Sequence, residues 1–195
     1  MADLDQIAEE LELLTAESLE ELSRFIEYLK WKQQPGPVRI SGRPWMFDFV
    51  EHFRQATVTA DHDPTGMEVL IGEAACDGEW RMALWEHPPV QGSAIVEYQV
   101  PVPSEVTNLR LQFATGIRDG SRLAIGNVVA FRIFVDDWRL WSDTQHARKW
   151  KRHEIAMPIM AGDMVRIRFV TDGLGNHEWA WAVWGEPRLI GEVPK

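Results

Sequence analysis

The sequence holds one cysteine, Cys76, in 195 residues. A single thiol allows no disulfide within the chain and no cysteine cluster for zinc, so neither kind of staple organises this fold, and reducing surroundings suit it. Long hydrophobic runs are missing as well. Nowhere do about eighteen consecutive apolar residues occur to span a bilayer, and the opening MADLDQIAEE lacks the basic and apolar regions of a signal peptide. The expected setting is cytoplasmic, with no membrane partner. Basic residues are scarce, at 20 Lys and Arg against 30 Asp and Glu, and the formal net charge of −10 argues against general nucleic-acid binding. The signatures of catalysis are absent too: no Gly-x-Ser-x-Gly elbow, no glycine loop with lysine for phosphate, no His-Glu-x-x-His pair. No enzyme, cofactor or metal is expected. DHDPTG, residues 61–66, carries Asp61 and Asp63, but calcium needs about six oxygens, and two aspartates beside a proline read first as a turn. Whether a structural calcium binds there stays open at this stage.

What is present divides in two. Residues 1–30 carry a net charge of −7 and residues 31–195 only −3. The first part has a helical period: Leu4, Ile7, Leu11 and Leu14 recur at spacings of three and four, and after Thr15 come Leu19, Leu22, Phe25, Ile26 and Leu29 on one stripe. Thr15 is placed to cap the second run, with Glu17, Glu20 and Glu21 at the positive end of its dipole. A helical hairpin or kinked long helix over 1–34 is expected. An isolated short helix is marginal in water, so its apolar face needs a partner. Docking on its own domain and self-association are both open, and self-association through Leu11, Leu22, Phe25, Ile26 and Leu29 is preferred, making the chain a homo-oligomer. The run LTAESLEELSRFIEYLKWKQ resembles a short helical segment of small bacterial proteins. Three prolines and two glycines between Gln33 and Pro44 then end the helix, and 35–44 reads as a linker.

From Trp45 the period falls to two. Met67, Val69 and Ile71 alternate with their neighbours, Asp77-Gly78 marks a hairpin, and Met82 and Leu84 follow it. Val96, Tyr98 and Val100 alternate, as do Leu109, Leu111 and Phe113, and Val165, Ile167 and Phe169. The pattern predicts eight or nine strands with no helix between them, hence an antiparallel β-sandwich or jelly roll over 45–195. In TDGLGNHEWAWAVWGEPRLI, residues 171–190, an extended strand puts Trp179, Trp181 and Val183 on one face and Ala180, Ala182 and Trp184 on the other. Core packing is the first expectation for each tryptophan. The glycine-bearing loop before them is the better place for function. Arg139 to His153 adds five Arg or Lys with Trp141 and Trp150 interleaved, a pattern that can hold a phosphate or stack a ring. In so acidic a chain, pairing with acidic surface is the preferred reading.

LWEHPP at 84–89, VPVP at 100–103, LRLQFATGIRDG at 109–120, VVAFRIFVDDWRLW at 128–141 and VTDGLGNHEWAWAVWGEPRL at 170–189 together resemble the novel carbohydrate-binding module group of the galactose-binding-like jelly rolls. The resemblance departs from that group at Gly126-Asn127 and at Ala180. It implies a mainly β, non-catalytic module that recognises a glycan or another small polar ligand. The residues expected to hold it are Asn176, His177, Glu178 and Trp179, with Trp138 and Trp141 as a second aromatic wall if their hairpin lies at the same end. The alternative is an intracellular scaffold whose sandwich binds another protein.

Overall fold

The computed structural model describes Leu11, Leu14, Thr15, Ser18, Leu19, Leu22, Ile26, residues 42–157 and residues 164–194. The chain divides into two units, Met1–Ile40 and Ser41–Lys195. Of the first, the described residues show the backbone N–H of Ser18 donating to Thr15 Oγ1 at 3.2 Å and that of Leu19 donating to the Thr15 carbonyl at 2.9 Å. The helical hairpin expected over 1–34 falls otherwise outside the described residues, Phe25 and Leu29 included. So does most of the expected linker, although a strand begins at Arg43 and takes its last two residues.

In the second unit eleven strands are described: β1 Arg43–Asp48, β2 Thr57–Ala60, β3 Glu68–Cys76, β4 Glu79–His87, β5 Ser93–Pro101, β6 Thr107–Ile117, β7 Val129–Val135, β8 Trp138–Gln145, β9 Lys151–Ala156, β10 Met164–Asp172 and β11 Ala182–Val193. That exceeds the eight or nine expected. β1, β2 and β9 escape the alternation test because β1 starts in the Pro-Gly region, β2 is almost wholly exposed, and β9 is charged on its outer face. All pairings are antiparallel, in two sheets: β3-β4-β11-β6-β9 with β1 also on β11, and β2-β5-β10-β7-β8. Asp77 and Gly78 both take positive φ, 55° and 72°, which is why this Asp-Gly pair closes the β3–β4 hairpin.

Alternate residues of the two sheets meet in one core. Leu109, Leu111 and Phe113 of β6 face Val96 and Tyr98 of β5, Phe131 and Ile133 of β7, and Ile167 and Phe169 of β10. Trp184 is fully buried at the centre, its ring 5.1 Å from Phe131, 5.1 Å from Phe169 and 5.6 Å from Phe113. The same alternation turns Val183 outward, into a smaller cluster with Ala74, Cys76, Ala83, Trp85 and Trp150 on the outer face of the first sheet. There burial, with Asp119 adding to it, pushes the Cys76 thiol up to about 12, so it is a packing residue and no nucleophile.

β11 carries a bulge. Gly185 pairs with Ala114 and Arg188 with Gln112, so Glu186 and Pro187 together oppose the single residue Phe113. Glu186 sits there at φ 45°. The extra residue reverses the in-out phase, which is how Trp184 and, five residues later, Leu189 can both point into the core. At the same place the neighbour of β11 changes from β4, which ends its pairing at Ala83, to β1, which begins at Asp48.

Glu86 is the one fully buried acid among the described residues. Trp184 Nε1 donates to its Oε2 at 2.5 Å, and Thr171 Oγ1 donates to its backbone carbonyl at 2.6 Å. Burial holds the carboxyl well above the usual carboxylate range, so it stays protonated where the unfolded chain, with an ordinary value of 4.5, ionises. Its contribution to stability is therefore complete below 4.5 and declines as pH rises from there toward the folded-state value. Glu86→Gln keeps an oxygen to accept from Trp184 and cannot ionise. Urea unfolding at about pH 5 and about pH 8 should show a smaller loss of stability with rising pH in this variant than in the parent. Equal losses in the two proteins would remove Glu86 as the source.

Candidate functional site

Four connections converge at one end of the sandwich: 61–66 after β2, 88–92 between β4 and β5, 118–128 between β6 and β7, and 173–181 between β10 and β11. Backbone bonds tie them together. Arg118 N–H donates to the Trp181 carbonyl at 2.9 Å, Val90 N–H to Thr65 at 2.9 Å, and Ser93 N–H to the Asp61 carboxylate at 2.6 Å. The last of the four builds its own shape. Asp172 accepts from the Leu174 N–H at 2.7 Å and from Arg132 at 3.1 Å. Leu174 and Gly175 both take positive φ, and Asn176 N–H closes on the Gly173 carbonyl at 2.9 Å, a type I′ turn. A second turn, Ala180 N–H to His177 carbonyl at 3.0 Å, carries the chain into β11.

Between those turns Trp179 is held at φ 62°, a conformation that bulky side chains rarely take. Ser121 Oγ donates to its carbonyl at 2.6 Å and fixes it there. The strained backbone keeps the indole out of the sheet, and Trp179 is 36% exposed. The extended strand read from the sequence therefore begins later, at Ala182, although its face assignment holds for Ala182, Val183 and Trp184.

Behind Trp179 stands a ladder of rings and guanidiniums. Trp181 is 5.1 Å from Trp179. The Arg118 guanidinium packs 4.5 Å from the Trp181 ring and 3.7 Å from the Trp85 ring, and that of Arg122 lies 5.3 Å from Trp179. A cation packed on two rings and half withdrawn from water gains more from each than an exposed one does, and burial lowers the proton affinity of Arg118. His87 adds a neutral group. Its Nδ1 faces the Ala180 carbonyl at 2.8 Å, so Nδ1 carries the proton and Nε2 is left as an acceptor. Burial first, then the nearby His177 and Arg118, hold His87 below its ordinary 6.5, against the pull of the Ala180 carbonyl and Glu68.

The expected site residues fall into separate places. Asn176, His177, Glu178 and Trp179 lie together on the 173–181 loop, with Asn176, Glu178 and Trp179 exposed and His177 half-buried, 6.2 Å from His87. Trp138 and Trp141 do not join them. Trp138 is opposite Val135, whose partner Ile167 is five residues before Asp172 in β10, so it sits roughly 17 Å away at the far end of that strand. Trp141 belongs to the edge of the core, 4.9 Å from Phe113 and 4.6 Å from His153. The residues that sequence reasoning passed over are Arg118, Arg122, Trp85 and His87. Their signal is faint: an arginine just past a hydrophobic strand in GIRDG and a Trp-x-His at a strand end, with nothing local to show that they meet.

Asp61 and Asp63 are engaged by the chain itself, Asp61 by Ser93 and Asp63 by Thr65 N–H at 2.8 Å and Thr65 Oγ1 at 2.6 Å. The basic run after Arg139 meets acids of its own sandwich: Lys151 pairs with Asp143 at 2.5 Å and Arg152 with Glu79 at 3.3 Å. Among the described residues no helix is long and apolar enough to cross a membrane.

The ladder makes a stability prediction. Arg118→Ala leaves two indoles without the cation between their environments and should lower stability by about 1–2 kcal/mol, with a change in tryptophan emission. Arg118→Lys should recover only part of this, because an ammonium cannot stack as a plane. An unchanged denaturation midpoint in both variants would show that the contact contributes nothing. His87 gives the opposite pH sign to Glu86: its contribution is complete above 6.5 and falls as pH drops through the lower folded value, which a side-chain NMR titration should place below 6.5.

No protein-family model matches the chain, and no curated protein does. Among solved structures it is similar to the second CBM51 module with INT domains of Clostridium perfringens ZmpB in complex with GlcNAc, at 12% identity and TM-score 0.48, covering 70% of this chain and 29% of that one. It is similar to the CBM51 of Clostridium perfringens GH95 in complex with methyl-galactose, at 13% identity and TM-score 0.46, covering 74% and 99%. It is also similar to the Stig cyclase Fisc of Fischerella sp. TAU, at 12% identity and TM-score 0.49, covering 84% and 94%. The chain thus spans less than a third of the ZmpB structure, and the ligands and activity in these names are those of the proteins named.

Proposed function

We propose that the chain is a non-catalytic binding module of the galactose-binding-like jelly-roll kind, taking a carbohydrate or another small polar ligand on the 173–181 loop. The observation that carries this reading is Trp179, an exposed indole fixed in a strained backbone, backed by Trp181 and flanked by Arg122. A sugar's apolar face stacks on such a ring while its hydroxyls need donors and acceptors close by, and Asn176, His177 and Glu178 are on the same loop. The neighbouring polar groups are occupied with holding the loops: Asp172 by Leu174 and Arg132, Asp119 by the N–H groups of Asp77 and Gly78 at 3.0 and 2.9 Å, Ser121 by Trp179. That distribution suits a pre-shaped binding surface better than an acid-base pair. We assign the apolar stripe of Leu11, Leu22, Phe25, Ile26 and Leu29 to self-association, which multiplies a weak single-site affinity.

Glycan-array screening followed by titration calorimetry tests this. Trp179→Ala should weaken binding about 5- to 10-fold and His177→Ala by less. Ligand binding untouched by both changes overturns the assignment. Exposed Ile125 on the 118–128 connection and Leu174 on the Trp179 loop favour a second reading, a scaffold that docks another protein there, and an array without any glycan ligand would select it. Light scattering on the full chain and on residues 36–195 should give a smaller oligomer for the shorter form.

A further inference from the structure

On the outer face of the first sheet an open cleft of about 410 Å³ crosses β4, β11, β6 and β9, and none of its lining residues belongs to the 173–181 loop. Its lining includes Arg81, Gln112, Arg152, Glu154, Glu186 and Arg188, with His153 beside them. Three features of the backbone make it. β4 and β1 meet end to end along β11, which breaks the row of side chains at Gly185 and Arg188. Gly185 leaves room at its floor for the Trp150 ring and the Arg81 stem. A Cβ there would lie 2.9 Å from the Trp150 ring, so Trp150, whose Nε1 donates to the Glu79 carbonyl at 2.8 Å, stands against it as an aromatic border. The bulge holds Glu186 in left-handed conformation and turns its carboxylate to Arg81 at 3.0 Å. Bulges and strained residues of this kind collect where a side chain is aimed at something.

The charges decide the ligand class. Each guanidinium has a carboxylate: Arg81 has Glu186 at 3.0 Å, Arg188 has Asp48 at 2.9 Å, Arg110 has Glu154 at 2.9 Å, and Arg152 has Glu79 at 3.3 Å. The Gln112 amide donates to Glu154 at 2.9 Å as well. A face on which positive and negative groups balance pair by pair offers no net pull on phosphate or sulfate. It offers fixed donors alternating with fixed acceptors, pre-ordered by their own pairing, and a hydroxyl, donor and acceptor at once, can join both. Neighbouring strands are about 4.8 Å apart, so three spacings make the cleft roughly 14 Å long, room for a short chain of rings more than for one.

We infer that this cleft is a second binding site, for a neutral oligosaccharide lying across the strands, with Arg152, Gln112, Glu186 and Arg188 on its hydroxyls and Trp150 bordering its path. The inference rests on the polyol-binding reading of the module and adds a different place for a different length of ligand.

The probes are cellohexaose, maltohexaose, mannohexaose and xylohexaose with the matching monosaccharides, titrated by calorimetry into the full chain, the double variant Arg152→Ala with Gln112→Ala, and Trp179→Ala. Arg152 is 75% exposed, so the double variant should keep the parent's melting midpoint and circular dichroism. At least one hexamer should bind, lose about fivefold or more in affinity in the double variant, and keep its affinity in Trp179→Ala, while monosaccharide binding ignores the double variant. Should the fold of the double variant suffer, the hexamer-induced NMR shifts of the Gln112 amide and Arg152 guanidinium in the parent chain serve in its place. Hexamer binding that follows Trp179 alone overturns the cleft and leaves the loop site. Hexamer binding that follows the cleft alone, with no monosaccharide bound, overturns the loop site and leaves the cleft. Failure of every hexamer to bind, or binding of a single-stranded oligonucleotide in their place, overturns the cleft assignment.

Discussion

Trp184 is where the constraints of this protein meet. Its indole has to be buried because Phe113, Phe131 and Phe169 surround it, and once buried its N–H requires an acceptor, which Glu86 supplies from the adjacent strand. That acceptor is itself an acid out of reach of water, kept protonated by burial. One hydrogen bond thus fixes the register of β11 against β4 and commits a titratable group to the interior. Replacing either partner alone leaves a buried polar atom unmatched, which is the costly way to break such a pair.

From Trp184 the consequences run in both directions along β11. Toward the start of the strand, alternation puts Ala182 inside and Val183 outside, and the chain before it leaves the sheet through the turns that hold Trp179 and Trp181 against Arg118 and Arg122. Toward its end, the bulge at Glu186 reverses the phase so that Leu189 is buried, and the same extra residue brings the Glu186 carboxylate to Arg81 on the outer face. The loop surface and the cleft are therefore two products of how one strand is seated.

The strands with one apolar and one polar side were legible: Val96 to Val100, Leu109 to Phe113 and Val165 to Phe169 bury the residues their alternation marks. Asp77-Gly78 was legible as a turn because few residue pairs take positive φ twice. β2 and β9 were not, since edge strands with solvated faces carry no hydrophobic period. The loop at 173–181 was legible as a place for function from its glycines and polar residues. Its partners were not, because Arg118 lies more than fifty residues from Trp181 and a contact across that distance leaves no local pattern. Trp138 and Trp141 show the converse: their composition matches a binding wall, and register alone puts one at the other end of the sandwich and the other against the core.

By itself the sequence determined that the second part of this chain is an antiparallel β protein, which residues of most strands face inward, and that its chemistry has no cysteine pair to draw on. These are local properties: side-chain period, turn chemistry and composition act within a few residues. Only the tertiary structure decided that β11 carries a bulge, that four distant connections meet at the end of the sandwich that carries Trp179, that each outer-face arginine of the cleft has a carboxylate, and that Glu86 is the acid in the core. Those outcomes depend on which strand lies beside which, and pairing is a property of the whole chain, in which one residue of register moves every side chain to the opposite face.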